Sequence, residues 1–192
     1  LRFKTVRGRG GVVENIFIRN IAMRNIIHDA VLFDMYYFAK APTLAQTNGK
    51  VEIPPVDKGT PQFRNFYITN LTCDGADRAM LIRGLPEMSI KNINLNHVNI
   101  IANKGADIIE AKDVKLVDVQ LNCPGNSPLI NVENSQQITF DNIRSVNKPS
   151  TFFSISGDRS KQIIVHNTDG RLTDSDALFS YGADKSALTI NK

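Results

Sequence analysis

The 192-residue chain has no tryptophan, only two cysteines, and no apolar run near the roughly 18 residues that a membrane helix needs. Two cysteines exclude a disulfide-dense scaffold and a four-cysteine zinc site. Helical spacing sustained over 11 or more residues is absent as well. Charge of one sign is not abundant: 23 Lys and Arg against 19 Asp and Glu leave +4, which permits an anionic partner without requiring one. With 42% hydrophobic residues the chain has enough apolar material for one buried core.

What is present is a repeat. Asn15-Ile16-Phe17-Ile18-Arg19-Asn20-Ile21 returns as Asn65-Phe66-Tyr67-Ile68-Thr69-Asn70-Leu71. Fainter copies start at Asn92, Asp113, Gln137 and Gln162, so the spacings are 50, 27, 21, 24 and 25 residues. A second short apolar segment follows each copy, for example Val31-Leu32-Phe33 and Met80-Leu81-Ile82, and Arg2-Phe3-Lys4 takes that place at the start. Both segment types alternate with period two, and Gly, Asn, Asp and Pro punctuate the gaps. A period of 21 to 27 residues with two strands per period defines a solenoid. Leucine-rich repeats need L-x-x-L-x-L-x-x-N, which these copies lack.

The expected fold is therefore all-β: a parallel β-helix of about seven coils in a single domain over 1–192. A long inserted loop is expected over about 38–62, where Pro42, Pro54, Pro55 and Pro61 fall, and a more polar cap over about 169–192. Asparagine suits the coil corners because it tolerates left-handed geometry, and stacked corner amides can hydrogen-bond from coil to coil. Cys73 and Cys123 fall two coils apart, about 9.6 Å, which is too far for a disulfide. Two free thiols in the core are expected. The chain starts at Leu1 already in a strand, so coils ahead of it are expected to be missing. An uncapped first coil would then be covered by another segment or would self-associate.

The first nine residues hold Arg2, Lys4, Arg7 and Arg9 and no acid; Glu14 is the first carboxylate. Alternation in a strand puts Arg2 and Lys4 on one face and Phe3 on the other. Two cations on one face beside a Gly-rich loop make a candidate anion site, and the planar fork of Arg matches a carboxylate. A solvated basic edge is the competing reading. Asp34, Asp74, Asp77 and Asp107 form no evident pair and are expected to be solvated or to cap turns. His28, His97 and His166 lack metal-ligand spacing, so no metal or other cofactor is expected. Arg7-Gly8-Arg9-Gly10-Gly11 also has the composition of an RNA-binding tract, but such tracts repeat and this one occurs once.

Arg2-Phe3-Lys4-Thr5, the glycines that follow and Val13-Glu14-Asn15-Ile16 resemble the R-[IF]-K-T segment of glycoside hydrolase family 28, the polygalacturonases and related pectin hydrolases. Cys73-Asp74-Gly75-Ala76 and Gly84-Leu85-Pro86-Glu87 add to the likeness, which runs over most of residues 1 to about 140. The resemblance implies a right-handed parallel β-helix and inverting hydrolysis of α-1,4-galacturonosidic bonds. It implies that Arg2 and Lys4 hold a galacturonate unit, joined by Tyr37 from the next coil, with the adjacent Tyr36 as the alternative. It also implies an extracellular or periplasmic setting and a galacturonate-containing polysaccharide as partner, with no nucleic acid or membrane. The family's aspartates lie in N-T-D, D-D and G-H-G segments ahead of that motif. This chain has no D-D and no G-H-G, and its one Asn167-Thr168-Asp169 follows the motif near the C-terminal end, where a turn is expected. No catalytic residue is therefore expected in this chain, which should bind and not cleave. A non-catalytic β-helix that binds acidic polysaccharide is the competing reading.

Overall fold

The apolar alternation builds strands that stack rung upon rung. The computed structural model describes residues 1–125, 128–146, 149–167, 172 and 176–191. Twelve strands form one parallel sheet wound into a β-solenoid of about five turns. They are β1 Arg2–Lys4, β2 Val12–Asp34, β3 Gln62–Arg83, β4 Ile90–Ile101, β5 Lys104–Ile109 and β6 Ala111–Asn122. They continue as β7 Ile130–Glu133, β8 Gln136–Arg144, β9 Phe153–Ser156, β10 Lys161–His166, β11 Ala177–Ser180 and β12 Leu188–Ile190. One 3-10 turn, Lys185–Ala187, precedes β12.

The two segment types of the repeat become two stacks. One runs through the first halves of β2 and β3 and then β4, β6, β8, β10 and β12. The other runs from β1 through the ends of β2 and β3 to β5, β7, β9 and β11. All six repeat anchors fall into one column: Ile16 pairs with Phe66, then Ile93, Val114, Ile138 and Ile163 follow in register. The turn count is lower than the expected seven. Seven strands do line up in the second stack, Arg2–Lys4 among them, but the strands at the two ends do not complete windings.

Long β2 and β3 round corners without leaving the ladder because left-handed residues sit at five-residue intervals. Asn15, Asn20 and Asn25 have φ of 58°, 58° and 50°; below them Asn65, Asn70 and Gly75 have 61°, 58° and 95°. The short polar side chain of Asn permits this backbone where a β-branched residue would be strained. The corner amides bond vertically: Asn65 Nδ2 donates to Asn15 Oδ1 at 3.0 Å and Asn92 Nδ2 to Asn65 Oδ1 at 2.9 Å. A second column through Asn20 and Asn70 does the same at 3.0 Å. The interior fills with Phe66, Ile68, Leu71, Ile93 and Leu95, all fully buried.

Cys73 and Cys123 are free and buried, as expected from their register. The insertion is the segment between β2 and β3, close to the expected bounds. Part of the expected cap lies outside the described residues, as does part of Asn167-Thr168-Asp169. The rest adds a rung to each stack through β11 and β12.

Candidate functional site

β1 is held as a rung by Arg2–Lys4 pairing with Leu32–Asp34. Its alternation fixes the facing. Phe3 turns inward and stacks on Phe33 at 4.8 Å and edge-on to Phe66 at 4.9 Å. Arg2 and Lys4 therefore share the outer face, Arg2 exposed and Lys4 half-buried. After Lys4 the glycine loop folds against the end of the insertion, where the Gly8 and Gly10 amides both donate to the Gly59 carbonyl at 2.9 Å. At Gly10, φ is +60°, and a methyl group there would collide with the Lys58 carbonyl oxygen.

Past Asp34 the chain leaves the ladder and presents two tyrosines in succession. Tyr37, at φ +20°, is the one that meets the leading rung: Lys4 Nζ lies 3.9 Å from its ring centroid and the Arg9 guanidinium 5.7 Å. The structure thus brings Lys4, Tyr37 and Arg9 together beside Arg2. Tyr36 is buried instead, between the guanidinium groups of Arg7 and Arg83 at 5.2 and 5.6 Å. Burial raises its phenol pKa above the usual value, against the lowering effect of Arg7.

Arg7 leaves the expected group of four cations. It forms a two-pronged pair with Glu87, at 2.5 and 2.8 Å. Burial pushes the Glu87 carboxyl up, but the bonds from Arg7 outweigh it and hold the carboxyl below its usual value. Three cations remain for an anionic ligand: among the described residues no carboxylate pairs with Arg2, Lys4 or Arg9.

The expectation for the scattered aspartates holds in part. Asp34 caps the turn by accepting from the Tyr36 amide at 3.0 Å, but it is not solvated. It is 6% exposed and takes two bonds of 2.9 Å from Arg83. Asp107 is held by Arg78 at 3.0 Å and by Asn131 at 2.7 Å, and Asp77 by Lys104 at 3.0 Å. Each of these three carboxylates is therefore engaged by a cation. His28 and His97 are exposed, and no cluster among the described residues could hold a metal.

Sequence reasoning missed one group of buried acids. Glu110, between β5 and β6, is 4% exposed and pairs with Arg159, whose other nitrogen reaches the Pro86 carbonyl. Burial pushes Glu110 up to about 7 despite Arg159. Glu133, on the next rung, is raised by burial and by Asp107. Both line a cavity of about 100 Å³ with Tyr36 and Arg83, roofed by Pro42 and Thr43 of the insertion. The available signal was positional. Glu110 and Asn134 are both left-handed, at φ 49° and 47°, and each directly follows a rung of the second stack.

Fold and site together define a parallel β-solenoid that carries a cation and tyrosine cluster on its leading rung. No family model, no curated protein and no solved structure matches the chain.

Proposed function

We propose that the leading rung binds the carboxylate of a sugar acid, as the substrate-holding part of a polygalacturonase-like pectin hydrolase of inverting mechanism. The observation that carries this reading is the 3.9 Å approach of Lys4 to the Tyr37 ring, with Arg9 over the same ring and Arg2 on the same strand face. Such a cluster suits a uronate. The ammonium and guanidinium groups pair with the carboxylate, and the Tyr37 ring, in contact with both Lys4 and Phe38, holds the ammonium in position. Galacturonate-containing polysaccharide is the partner, and its size puts the encounter outside the cell or in the periplasm.

The aspartates described near that rung are not free for the second half of the chemistry. Inverting hydrolysis needs one carboxylic acid to protonate the leaving oxygen and another to activate water. Asp34, Asp77 and Asp107 are tied to Arg83, Lys104 and Arg78. On this reading the chain holds substrate without cleaving it. Those engaged carboxylates also favour a second reading, a β-helix that binds acidic polysaccharide without any catalytic role.

Titration calorimetry with trigalacturonate tests the binding. The wild-type chain should bind it weakly, and Arg2→Ala with Lys4→Ala should weaken it by about tenfold or more. A neutral galactose trimer should not bind. Affinity unchanged in the double variant overturns the cation assignment. Release of reducing ends above buffer by the purified chain overturns the missing-acid argument.

A further inference from the structure

A second feature lies on another wall, away from the leading rung. Four of five consecutive rungs of the first stack place a cation in one outward column: Arg64 pairs with Lys91, Lys91 with Lys112, Lys112 with Gln136 and Gln136 with Lys161. Rungs are about 4.8 Å apart, so like charges sit directly opposite one another, an arrangement that destabilises a sheet.

Elsewhere the chain avoids or compensates this. Arg24 lies opposite Asp74 and Asp34 opposite Arg83; within the column itself Arg64 is met by Glu14 at 2.6 Å, which leaves Lys91, Lys112 and Lys161 as its uncompensated charges. The one other cationic neighbour pair in the ladders, Arg78 with Lys104, is surrounded by Asp29, Asp107 and Asp77. Lys91, Lys112 and Lys161 are exposed, and among the described residues no carboxylate pairs with them.

Two further observations mark the same corner. Across the ladder of corner amides, Phe17 and Tyr67 stack at 5.0 Å and 11°, with Phe17 64% exposed, and Asn94 and Lys115 continue that column. At the C-terminal end the corner opens into a groove of about 800 Å³, whose lining includes Lys161, Gln137, Thr139 and Ser160 together with the carboxylates of Asp113 and Asp184. Amides and hydroxyls at that end suit the hydroxyls of a carbohydrate.

We propose that this corner is a second binding site, for a linear acidic polysaccharide lying along the solenoid axis. The lysine column meets successive sugar carboxylates, and the aromatic pair offers a face to a pyranose ring. Charges on neighbouring rungs about 4.8 Å apart, Lys91 and Lys112, with Lys161 two rungs further on, suit a polymer with one carboxylate per ring. They match duplex DNA poorly, since DNA carries a charge every ~1.7 Å. The site extends the proposed function, on which its choice of ligand rests, but uses none of the residues of the leading rung.

Two ligands and two variants separate the sites. Trigalacturonate reports the leading rung, and long polygalacturonate reports the corner as well. Lys91→Gln with Lys112→Gln should lower affinity for the polymer about tenfold and leave trigalacturonate binding unchanged. Because it relieves like-charge repulsion, the same variant should melt at or above the wild-type temperature, so lost binding is not lost folding. Polymer affinity unchanged in this variant overturns the corner site and leaves the leading-rung reading standing. Loss of trigalacturonate binding in Arg2→Ala with Lys4→Ala, while polymer binding persists, supports two sites. A wild-type chain that binds neither ligand overturns both proposals. Binding of polyuridylate as tight as polygalacturonate overturns the corner's assignment to polysaccharide.

Discussion

The first coil and the coils beneath it share a sequence pattern but not an environment. Ile16, Ile18, Ile21 and Met23 of β2 are half-buried, while Phe66, Ile68, Leu71 and Cys73, their partners in β3, are 0 to 3% exposed. β3 has a rung on both sides. Over Val12–Ile26, β2 pairs with β3 alone, because β1 covers only Leu32–Asp34. In a solenoid a coil therefore takes half of its burial from each neighbour, and apolar identity alone does not make a residue core. The candidate site belongs to the open coil, where Arg2 and Lys4 remain accessible because nothing is stacked above them among the described residues.

The largest effects should separate these coils. Phe66→Ala removes a fully buried ring that touches Phe3, Phe33 and Phe63, and should cost about 3–5 kcal/mol in chemical denaturation. Ile18→Ala, one coil up and half-buried, should cost about half the 2–5 kcal/mol typical of a core Ile. Equal losses at the two positions would break the comparison.

A smaller effect comes from the acids buried in the inner coils. The Glu110 carboxyl is pushed from its ordinary value of 4.5 to about 7, so the folded state holds its proton over a range where the unfolded state has lost it. Folding then binds protons, and this group's contribution to stability falls as pH rises from about 4.5 to about 7. Glu110→Gln should flatten that part of the stability profile, although it also weakens the bond from Arg159. An unchanged slope in melting experiments across this range would place the proton elsewhere.

The sequence shows the solenoid through its anchors, since Asn15, Asn65, Asn92, Asp113, Gln137 and Gln162 all occupy one left-handed column, with φ between 52° and 61°. It also shows the facing of Arg2, Phe3 and Lys4, because a strand's alternation is local. A second corner column through Asn20, Asn70 and His97 was open to the same reading at five residues past each anchor, but a search for apolar strands passes over it. The pairing of Arg7 with Glu87 was not legible. It joins residues 80 apart through the glycine loop and a turn, neither of which carries a periodic signal. The lysine column was hidden for a related reason, as Lys91, Lys112 and Lys161 align only when unequal repeat lengths are set in register.

The finest test compares corners rather than cores. Asn65 donates to Asn15 and accepts from Asn92, so it has a ladder bond on both sides, whereas Asn15 has one below and, among the described residues, no rung above. Alanine at either position meets the same left-handed backbone, a cost of about 1–2 kcal/mol. Asn65→Ala should lose one more amide bond than Asn15→Ala, about 1 kcal/mol or less given how accessible the ladder is. Glycine separates the two contributions, because it relieves the backbone but supplies no amide. Asn65→Gly should therefore remain less stable than Asn15→Gly by about that same single bond. If the two glycine variants melt together, the stacked amides add nothing to the solenoid, and left-handed geometry alone selects asparagine at its corners.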